Sequence, residues 1–355
     1  MKKFPAVLTA AILAVSGMSG VHSQSSTDYV APRTEWGAPD LQGVWNFASD
    51  IPMQRPERYG DRQFLTEQEA AEIEVRMAAL AARAEAQPDP DANREAPPVG
   101  DSSELGYNQF WIEQAGIGKA LRTSHIIYPL NGRLPPRVEG APVQRGGGAL
   151  GPDIPGERPV RYTVSGIGKD GPEDRGLSER CIVGFNSGPP FNPSMYNNNV
   201  QIVQNRDTAV ILTEMIHDAR IVPLYDSRAA MPALDDDLRL WSGDSRGYWD
   251  GDTLVVETRN FTDLTTSYSA FGTAYDKLLI ERFTRVDYDT VNYQWTIEDP
   301  STFTDRITAI VPMTKVAGQL YEYACHEGNY GMKNILRGER MAEQRAAESE
   351  SAHLH

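Results

Sequence analysis

Between Cys181 and His326, hydrophobic and polar residues alternate in a series of short segments separated by polar turns. Because successive side chains of a strand point to opposite faces, this pattern predicts β-strands. The joints between the segments are short, as at Asp250–Asp252, which is typical of an antiparallel meander. A meander of this length avoids exposed edges by curling closed, so we expect a mainly β fold with an antiparallel barrel at 181–330. The predicted strands are NNVQIVQN, TAVILTEMI, ARIVPL, TLVVET, LLIERFTRVD, TVNYQWTIED, RITAIVPMT and QLYEYACHE.

Peripheral helices and long loops are predicted on both sides of this barrel. A polar linker at 24–40 leads into 41–180, which begins with a short strand, PDLQGVWNF, and is otherwise rich in Pro and Gly. Within it, Thr66 and Glu69 form a capping box ahead of an amphipathic run, which predicts a surface helix over 66–87. The C-terminal residues 331–355 are predicted to form a polar helix with a loose tail.

The first 23 residues have the pattern of a secretory signal peptide. Lys2 and Lys3 precede an apolar run too short to span a bilayer, and small residues predict cleavage near Ser23. We therefore expect a periplasmic or secreted protein. The formal net charge of −15 disfavours nucleic acid and anionic lipid as partners, and no integral membrane contact is predicted.

The chain contains two cysteines, Cys181 and Cys325. In an oxidising compartment a lone pair usually forms a disulfide, although free thiols or metal ligands are the alternative. Closing so long a loop stabilises a fold by roughly 4–5 kcal/mol on the chain-entropy account.

The pentapeptide Gly243-Asp244-Ser245-Arg246-Gly247 matches G-x-S-x-G, the pattern of a serine hydrolase's nucleophile elbow. That elbow needs a buried strand before the serine and a helix after it, whereas a hairpin turn and TLVVET follow here. We therefore interpret the two glycines as part of a tight turn and do not assign Ser245 as a nucleophile.

Four glutamates interrupt predicted strands where apolar residues are expected. If their faces line a barrel, the carboxylates share one cavity and raise each other's pKa, so that a neutral acid lies beside an ionised base. Arginines on the same strands, Arg220, Arg282 and Arg306, are candidates to orient an anionic or carbonyl group. The alternative is that each glutamate lies on a strand face in contact with water. The glutamates are Glu214, Glu257, Glu281 and Glu322.

Histidine is scarce, and two positions are candidates for proton transfer. His217 and Asp218 form a joint that suits either a base oriented by a carboxylate or a plain turn. His326 follows Cys325 directly, so a disulfide would fix the backbone beside it. No short ligand spacing supports a metal site, and we predict neither metal nor cofactor.

Several blocks of the sequence resemble a family of exported, largely uncharacterised bacterial proteins, and together they cover most of the chain beyond the signal. The family has no established reaction, so the resemblance implies none. His125 stands where the family pattern is usually aliphatic, and the Gly- and Pro-rich stretch before Asp174 is looser here. The blocks include YNNNVQIVQ, EMIHDARIVPL, GDSRGYWDGDTLVVETRNFTD, ERFTRVD, YEYACHEGNYGM, LSERC, RTSHIIYPLNGRLPP and PDLQGVW.

More distantly, Gly43-Val44-Trp45 at the start of the meander is similar to the G-x-W of lipocalin-type barrels. The similarity implies a lipocalin-like (calycin-type) barrel, and such barrels hold small, mostly apolar ligands. Some lipocalin-like proteins are enzymes that add water to, or rearrange, terpenoid-type substrates.

Together these features suggest an exported, cofactor-independent enzyme that acts on a small, largely apolar molecule by acid–base chemistry. The reaction would be a hydrolysis, hydration, elimination or isomerisation. The alternative is a non-catalytic periplasmic carrier of a hydrophobic ligand, which needs few titratable groups inside. The predicted acids and bases are Glu214, His217, Asp218, Glu281 and His326. The predicted substrate contacts are Arg220, Glu257, Arg282, Glu322, Trp249 and Trp295.

Overall fold

The computed structural model describes residues 29–85, 113, 115–143, 162–163 and 166–353. The predicted signal peptide at 1–23 lies outside the described residues. The described helices are α1 Glu67–Glu85, α2 Cys325–Gly328 and α3 Tyr330–His353. The described strands are β1 Gly43–Asn46, β2 Ile126–Tyr128, β3 Tyr162–Thr163, β4 Gly166–Ile167, β5 Asn199–Gln204, β6 Thr208–Thr213, β7 Ala219–Tyr225, β8 Asp244–Asp250, β9 Thr253–Arg259, β10 Leu278–Arg285, β11 Thr290–Glu298 and β12 Ile307–Val316.

Nine strands of the described chain close into a barrel, in the order β1, β5, β6, β7, β8, β9, β10, β11 and β12. β1 closes the barrel because it pairs antiparallel with both β5 and β12, so that Asn46 lies opposite Asn199 on one side and Thr314 on the other. β2 lies outside the ring and pairs with β12. The predicted mainly β fold, a largely antiparallel barrel with peripheral helices, is confirmed, with eight of the nine strand pairs in the ring antiparallel. The stretch 41–180 contributes a strand to the barrel itself.

One pair of neighbouring strands, β7 and β8, runs parallel, with Leu224 opposite Gly247. A long crossover, residues 226–243, makes this pairing possible. Position 247 of β8 is a glycine because β7 lies too close for a side chain: a Cβ there would be 2.9 Å from Leu224 Cδ2 and 3.1 Å from Val222 Cγ1. The prediction of a turn at Gly247 is therefore wrong, since Gly247 lies within a strand and its glycine is explained by this close approach. Ser245 is buried in the same strand, and its Oγ lies 2.8 Å from Thr258 Oγ1.

Large side chains fill the inside of the barrel. On β10 the inward positions include Glu281 and Phe283, and on β11 they include Tyr293 and Trp295; all four are fully buried. The ring centroids of Phe283 and Tyr293 are 4.9 Å apart, and those of Tyr293 and Phe191 are 5.2 Å apart. The interior is thus a packed aromatic core with a few polar groups in it.

Segments from outside the sheet cover both ends of the barrel. At the end where β6 leads into β7, here called the β6–β7 end, Phe191 enters from the loop before β5 and stacks on Phe47 at 5.1 Å. At the opposite end, Gln204 donates to the carbonyl of Pro39 at 2.9 Å, and Arg285 donates to the carbonyl of Asp40 at 2.9 Å. These segments therefore lie over the two barrel openings through which a ligand would enter.

Two predicted strand segments differ from the structure. In TAVILTEMI the strand ends at Thr213, and a tight turn at Met215–His217 follows, so Glu214 is not on a strand face. QLYEYACHE is not a strand. The last strand of the sheet, β12, ends at Val316, and both of its edges are already paired, one with β1 and one with β11. A strand formed by QLYEYACHE would therefore have no free edge of β12 to pair with.

The predicted disulfide is present, with Cys181 and Cys325 Cα atoms 5.8 Å apart. It packs against Met215 and Ile216 and so ties the start of the C-terminal helices to the β6–β7 end. The capping box of α1 is also confirmed, since Thr66 N donates to Glu69 Oε2 at 2.8 Å. No helix in the described part of the chain combines the length and apolar character needed to cross a membrane.

Candidate acid–base site

Three of the predicted catalytic residues, Glu214, His217 and Asp218, lie on one tight turn at the β6–β7 end of the barrel. Ile216 and His217 in this turn have φ angles of 65° and 47°. These left-handed conformations are uncommon for residues other than glycine, and they persist only where surrounding contacts hold them. The neighbouring disulfide cluster supplies such contacts. Strained turns of this kind are concentrated at functional sites.

A second carboxylate, Glu113, lies close to Glu214 and is joined to it through asparagine side chains. Asn199 Nδ2 donates to Glu214 Oε2 at 2.8 Å, and Asn46 Nδ2 donates to Asn199 Oδ1 at 2.9 Å and to Glu113 Oε2 at 2.8 Å. The backbone and side-chain amides of Asn198 also donate to Glu113, at 3.1 and 3.0 Å. We call these five residues the carboxylate rim: Asn46, Glu113, Asn198, Asn199 and Glu214.

Glu214 is only 6% exposed, and this burial raises the pKa of its carboxyl above the ordinary value. The hydrogen bond from Asn199 acts in the opposite direction, while the negative charge of Glu113 raises the pKa further. Glu214 therefore holds its proton to a higher pH than an exposed glutamate does. A carboxyl of this kind beside a second carboxylate suits general acid–base catalysis.

The histidines of this end are exposed. His217 Nδ1 lies 3.3 Å from the carbonyl oxygen of Tyr323, and His326 lies in α2 next to the disulfide. Asp218 accepts a hydrogen bond from Ser242 Oγ at 2.7 Å, so it is bound to that hydroxyl rather than to the imidazole of His217. The fold thus brings four of the five predicted catalytic residues to one end of the barrel, without a hydrogen bond between their side chains in the described contacts.

The fifth, Glu281, lies inside the barrel and is engaged by other groups. It forms a bidentate ion pair with Arg220, with Nη1–Oε2 at 2.5 Å and Nη2–Oε1 at 2.9 Å. Tyr293 also donates its hydroxyl to Glu281 Oε1 at 2.7 Å, and burial raises the pKa of Tyr293 so that this proton is retained. Since the whole group is shielded from solvent, its geometry is that of a structural ion pair.

Lys277 is a buried cation whose charge interacts with both members of this ion pair. Its Nζ is 3.4 and 3.3 Å from the carbonyl oxygens of Pro189 and Ser267 and 4.0 Å from the ring centroid of Phe261. Burial lowers the pKa of Lys277 to about 7, although Asp299 and Glu281 oppose this shift. The amine is therefore divided between its charged and neutral forms near neutral pH.

The other predicted substrate contacts make no hydrogen bond to the carboxylate rim among the described residues. Glu257 and Arg282 point outward from β9 and β10, where they pair with Arg228 and Asp250. Glu322 is exposed in the segment before α2. Trp249 packs partly buried on the barrel core and Trp295 is fully buried within it, at a 5.2 Å centroid distance from Tyr268. Arg306, also considered as an anion contact, lies over the ring of Tyr128 at 4.7 Å.

His125, which departs from the resembled family, is a buried residue with both ring nitrogens bonded. Nδ1 lies 2.7 Å from the carbonyl oxygen of Ile310, and Nε2 lies 2.9 Å from Ser49 Oγ. Burial lowers its pKa to about 4. The neutral imidazole thus fills a polar gap between β12 and the N-terminal segments.

Sequence reasoning missed Glu113, Lys277 and Tyr293. Glu113 lies far from Glu214 in the chain, in a segment without periodicity, and carries no signal of its role. Tyr293 was detectable in principle, because it lies at an inward position of TVNYQWTIED and a buried hydroxyl needs a partner. Lys277 precedes the apolar start of β10, where a lysine is usually exposed.

Among the described residues, no three histidine, cysteine or acidic side chains are arranged to hold a metal ion. Comparison of the chain with protein-family profiles, curated proteins and solved structures gives no match. The resemblance to a family of exported bacterial proteins therefore stays a prediction, and the geometry of the carboxylate rim is the remaining guide to function.

Proposed function

We propose that this protein is an exported, cofactor-independent enzyme that transforms a small, largely apolar molecule by proton transfer at the carboxylate rim. The observation that carries the proposal is the buried Glu214 carboxyl, whose pKa is raised by burial and by Glu113. Glu214 acts as the general acid and Glu113 as the base, while the asparagine amides hold both carboxylates in fixed orientations.

Apolar side chains around the rim support a largely apolar substrate. Met195, whose carbonyl accepts the backbone N–H of Glu113 at 2.8 Å, is 56% exposed. Phe185 is also 56% exposed and packs edge-on against Tyr196 at 5.9 Å. Exposed apolar groups beside polar, titratable ones are typical of small-molecule sites. A reaction of this class is a hydrolysis, hydration, elimination or isomerisation.

Export is part of the same proposal. The disulfide between Cys181 and Cys325 is compatible with an oxidising compartment, and the N-terminal pattern predicts the signal peptide that would deliver the chain there.

The test separates catalysis from binding. The purified protein is incubated with a panel of small esters, epoxides and unsaturated alcohols, and products are followed by mass spectrometry while binding is followed by calorimetry. Replacing Glu214 by Gln should lower turnover roughly 10²–10⁴-fold with binding retained, and Glu350→Gln, at an exposed glutamate of α3, should leave turnover unchanged. Turnover that is equal in E214Q and the parent protein would contradict the assignment of the acid. Binding without turnover in the parent protein would instead favour the carrier.

A further inference from the structure

A cleft of about 870 Å³ lies on the outer wall of the barrel. The crossover segment 226–243 forms one side, the outward faces of β8 and β9 form another, and Tyr275–Lys277 complete the lining. This volume is in the range of small-molecule sites. No residue of the carboxylate rim lines the cleft, so a ligand in the cleft is independent of the proposed enzymatic site.

The cleft concentrates positive charge on an acidic protein. Its lining includes four arginines and the buried Lys277 against three Asp or Glu, whereas the whole chain has a net charge of −15. Carboxylates engage some of these arginines, since Arg228 pairs with Glu257 at 2.5 Å. Arg246 is bound by Asp244 at 3.3 Å and by backbone carbonyls.

Two further guanidinium groups have no carboxylate within ion-pair distance among the described residues. Arg239 Nη1 donates to the carbonyls of Phe261 and Tyr275 at 3.1 and 2.9 Å, and its guanidinium lies 3.4 Å from the Tyr275 ring centroid. These contacts fix the group while its other N–H donors are left for a ligand. Arg259 is exposed and makes no side-chain hydrogen bond to the described part of the chain.

The crossover side of the cleft contains an apolar run between Arg228 and Asp236. Its lining there includes Ala229, Met231, Pro232, Ala233 and Leu234. A ligand that fills the cleft therefore meets both this apolar run and the guanidinium groups that line the rest of the cleft. This combination matches an amphiphilic molecule with one acidic group, because guanidinium binds carboxylate or phosphate through paired N–H donors.

We propose that this cleft is a binding site for a small organic anion that has an apolar body and a carboxylate or phosphate head group. The head group binds to Arg239 and Arg259, and the body lies along the crossover segment. Arg239 is preorganised by its stacking on Tyr275, so ordering of Arg259 is the main conformational cost of binding.

The test uses three probes with the same hydrocarbon chain: octanoate, octyl phosphate and the neutral octanol. Each is titrated into the purified protein by calorimetry, with Arg259→Gln and Arg259→Glu as test variants. Arg206→Gln, at an exposed arginine in the turn between β5 and β6, is the matched control. Because the side chain of Arg259 makes no hydrogen bond to the residues that the structure describes, thermal unfolding of its variants should match that of the parent protein.

We expect at least one anionic probe to bind and octanol to bind at least tenfold more weakly. Loss of one charge-assisted contact should weaken binding by roughly tenfold in R259Q, with a larger loss in R259E and no change in R206Q. The probe that binds more tightly, octanoate or octyl phosphate, identifies the preferred head group. Equal binding of octanol, equal binding by the Arg259 variants, or no heat with either anion at millimolar concentration would each overturn the proposal.

Discussion

Arg220 and Glu281 meet across the inside of the barrel as a buried bidentate ion pair, with Nη2–Oε1 at 2.9 Å. Arg220 is on β7 and Glu281 on β10, strands that are not neighbours in the sheet. The pair therefore connects two walls of the barrel through its interior, and Tyr293 adds a third strand by its hydrogen bond to Glu281. Both partners must be present, because a lone charge at this depth has no compensation.

Replacing Glu281 by Gln should therefore destabilise the protein strongly. The substitution leaves the Arg220 guanidinium buried without its counter-charge, which costs about 3–5 kcal/mol. Urea unfolding measures the loss. Asp250→Asn, which breaks the exposed pair with Arg282, is the control and should cost less than about 1 kcal/mol. If E281Q were as mild as D250N, the interior pair would not have the structural role assigned to it.

Replacing Lys277 by Met should stabilise the protein in a pH-dependent manner. The pKa of Lys277 is about 7 in the fold and ordinarily 10.5, so the unfolded chain binds the proton more tightly. Below pH 7 the buried charged lysine therefore lowers the free energy of unfolding by its full amount. This destabilisation disappears as the pH rises from about 7 towards 10.5. The advantage of K277M should shrink by about 3 kcal/mol between about pH 6.5 and 9.5.

Urea midpoints of both proteins at the two pH values check the Lys277 prediction. Other titrating groups are common to the two proteins and largely cancel in the difference. A difference that is constant with pH would mean that Lys277 keeps its proton in the fold.

The barrel could be predicted from the sequence because its strands carry a period-two pattern with short joints. TVNYQWTIED places apolar residues at alternate positions, and the structure buries those positions. LLIERFTRVD follows the pattern less strictly, because Glu281 and Arg285 occupy buried alternate positions beside Leu279 and Phe283. The parallel strand β8 could not be predicted, because DSRGYWD has no apolar alternation and its pairing with β7 depends on contacts made by Gly247. Long-range packing rather than local pattern determines that strand.

The candidate site could be predicted only in part. Glu214, His217 and Asp218 were identified as adjacent polar residues interrupting apolar sequence, and they share one turn. Glu281 carries the same signal, yet it is a structural ion-pair partner, because the pattern cannot distinguish a buried glutamate paired with arginine from an unpaired one. Glu113 carries no local signal, since its role arises only when β1 and β5 bring asparagines around it.

Removing the disulfide by Cys325→Ser should lower the local stability of the candidate site more than that of the barrel strands. The bond spans 144 residues in sequence, and loss of a native disulfide typically costs about 2–5 kcal/mol. Hydrogen exchange should rise first in Met215–His217 and around α2, where the disulfide packs, while β10 and β11 stay protected. Uniform acceleration across the barrel strands would show that the bond stabilises the whole fold rather than this end.

Replacing Glu214 by Gln should increase stability at neutral pH while it removes activity. The pKa of Glu214 is raised in the fold above its ordinary 4.5 by burial, so the folded protein favours the protonated carboxyl and ionisation opposes folding. Stability is therefore lost as the pH rises from about 4.5 through the folded pKa, and the uncharged amide avoids this loss. Residues adapted to function often carry such a cost.

Urea midpoints of the parent protein and E214Q at about pH 4 and about pH 7.5 test the Glu214 prediction. The two proteins should be close at the lower pH, and E214Q should be the more stable at the higher pH. Glu322→Gln, at an exposed glutamate, controls for removal of a surface charge. If E214Q were instead the less stable protein at pH 7.5, ionised Glu214 would be a structural acceptor for Asn199. The acid would then have to be sought elsewhere on the rim, because a carboxylate that the fold stabilises in its charged form is a poor proton donor near neutral pH.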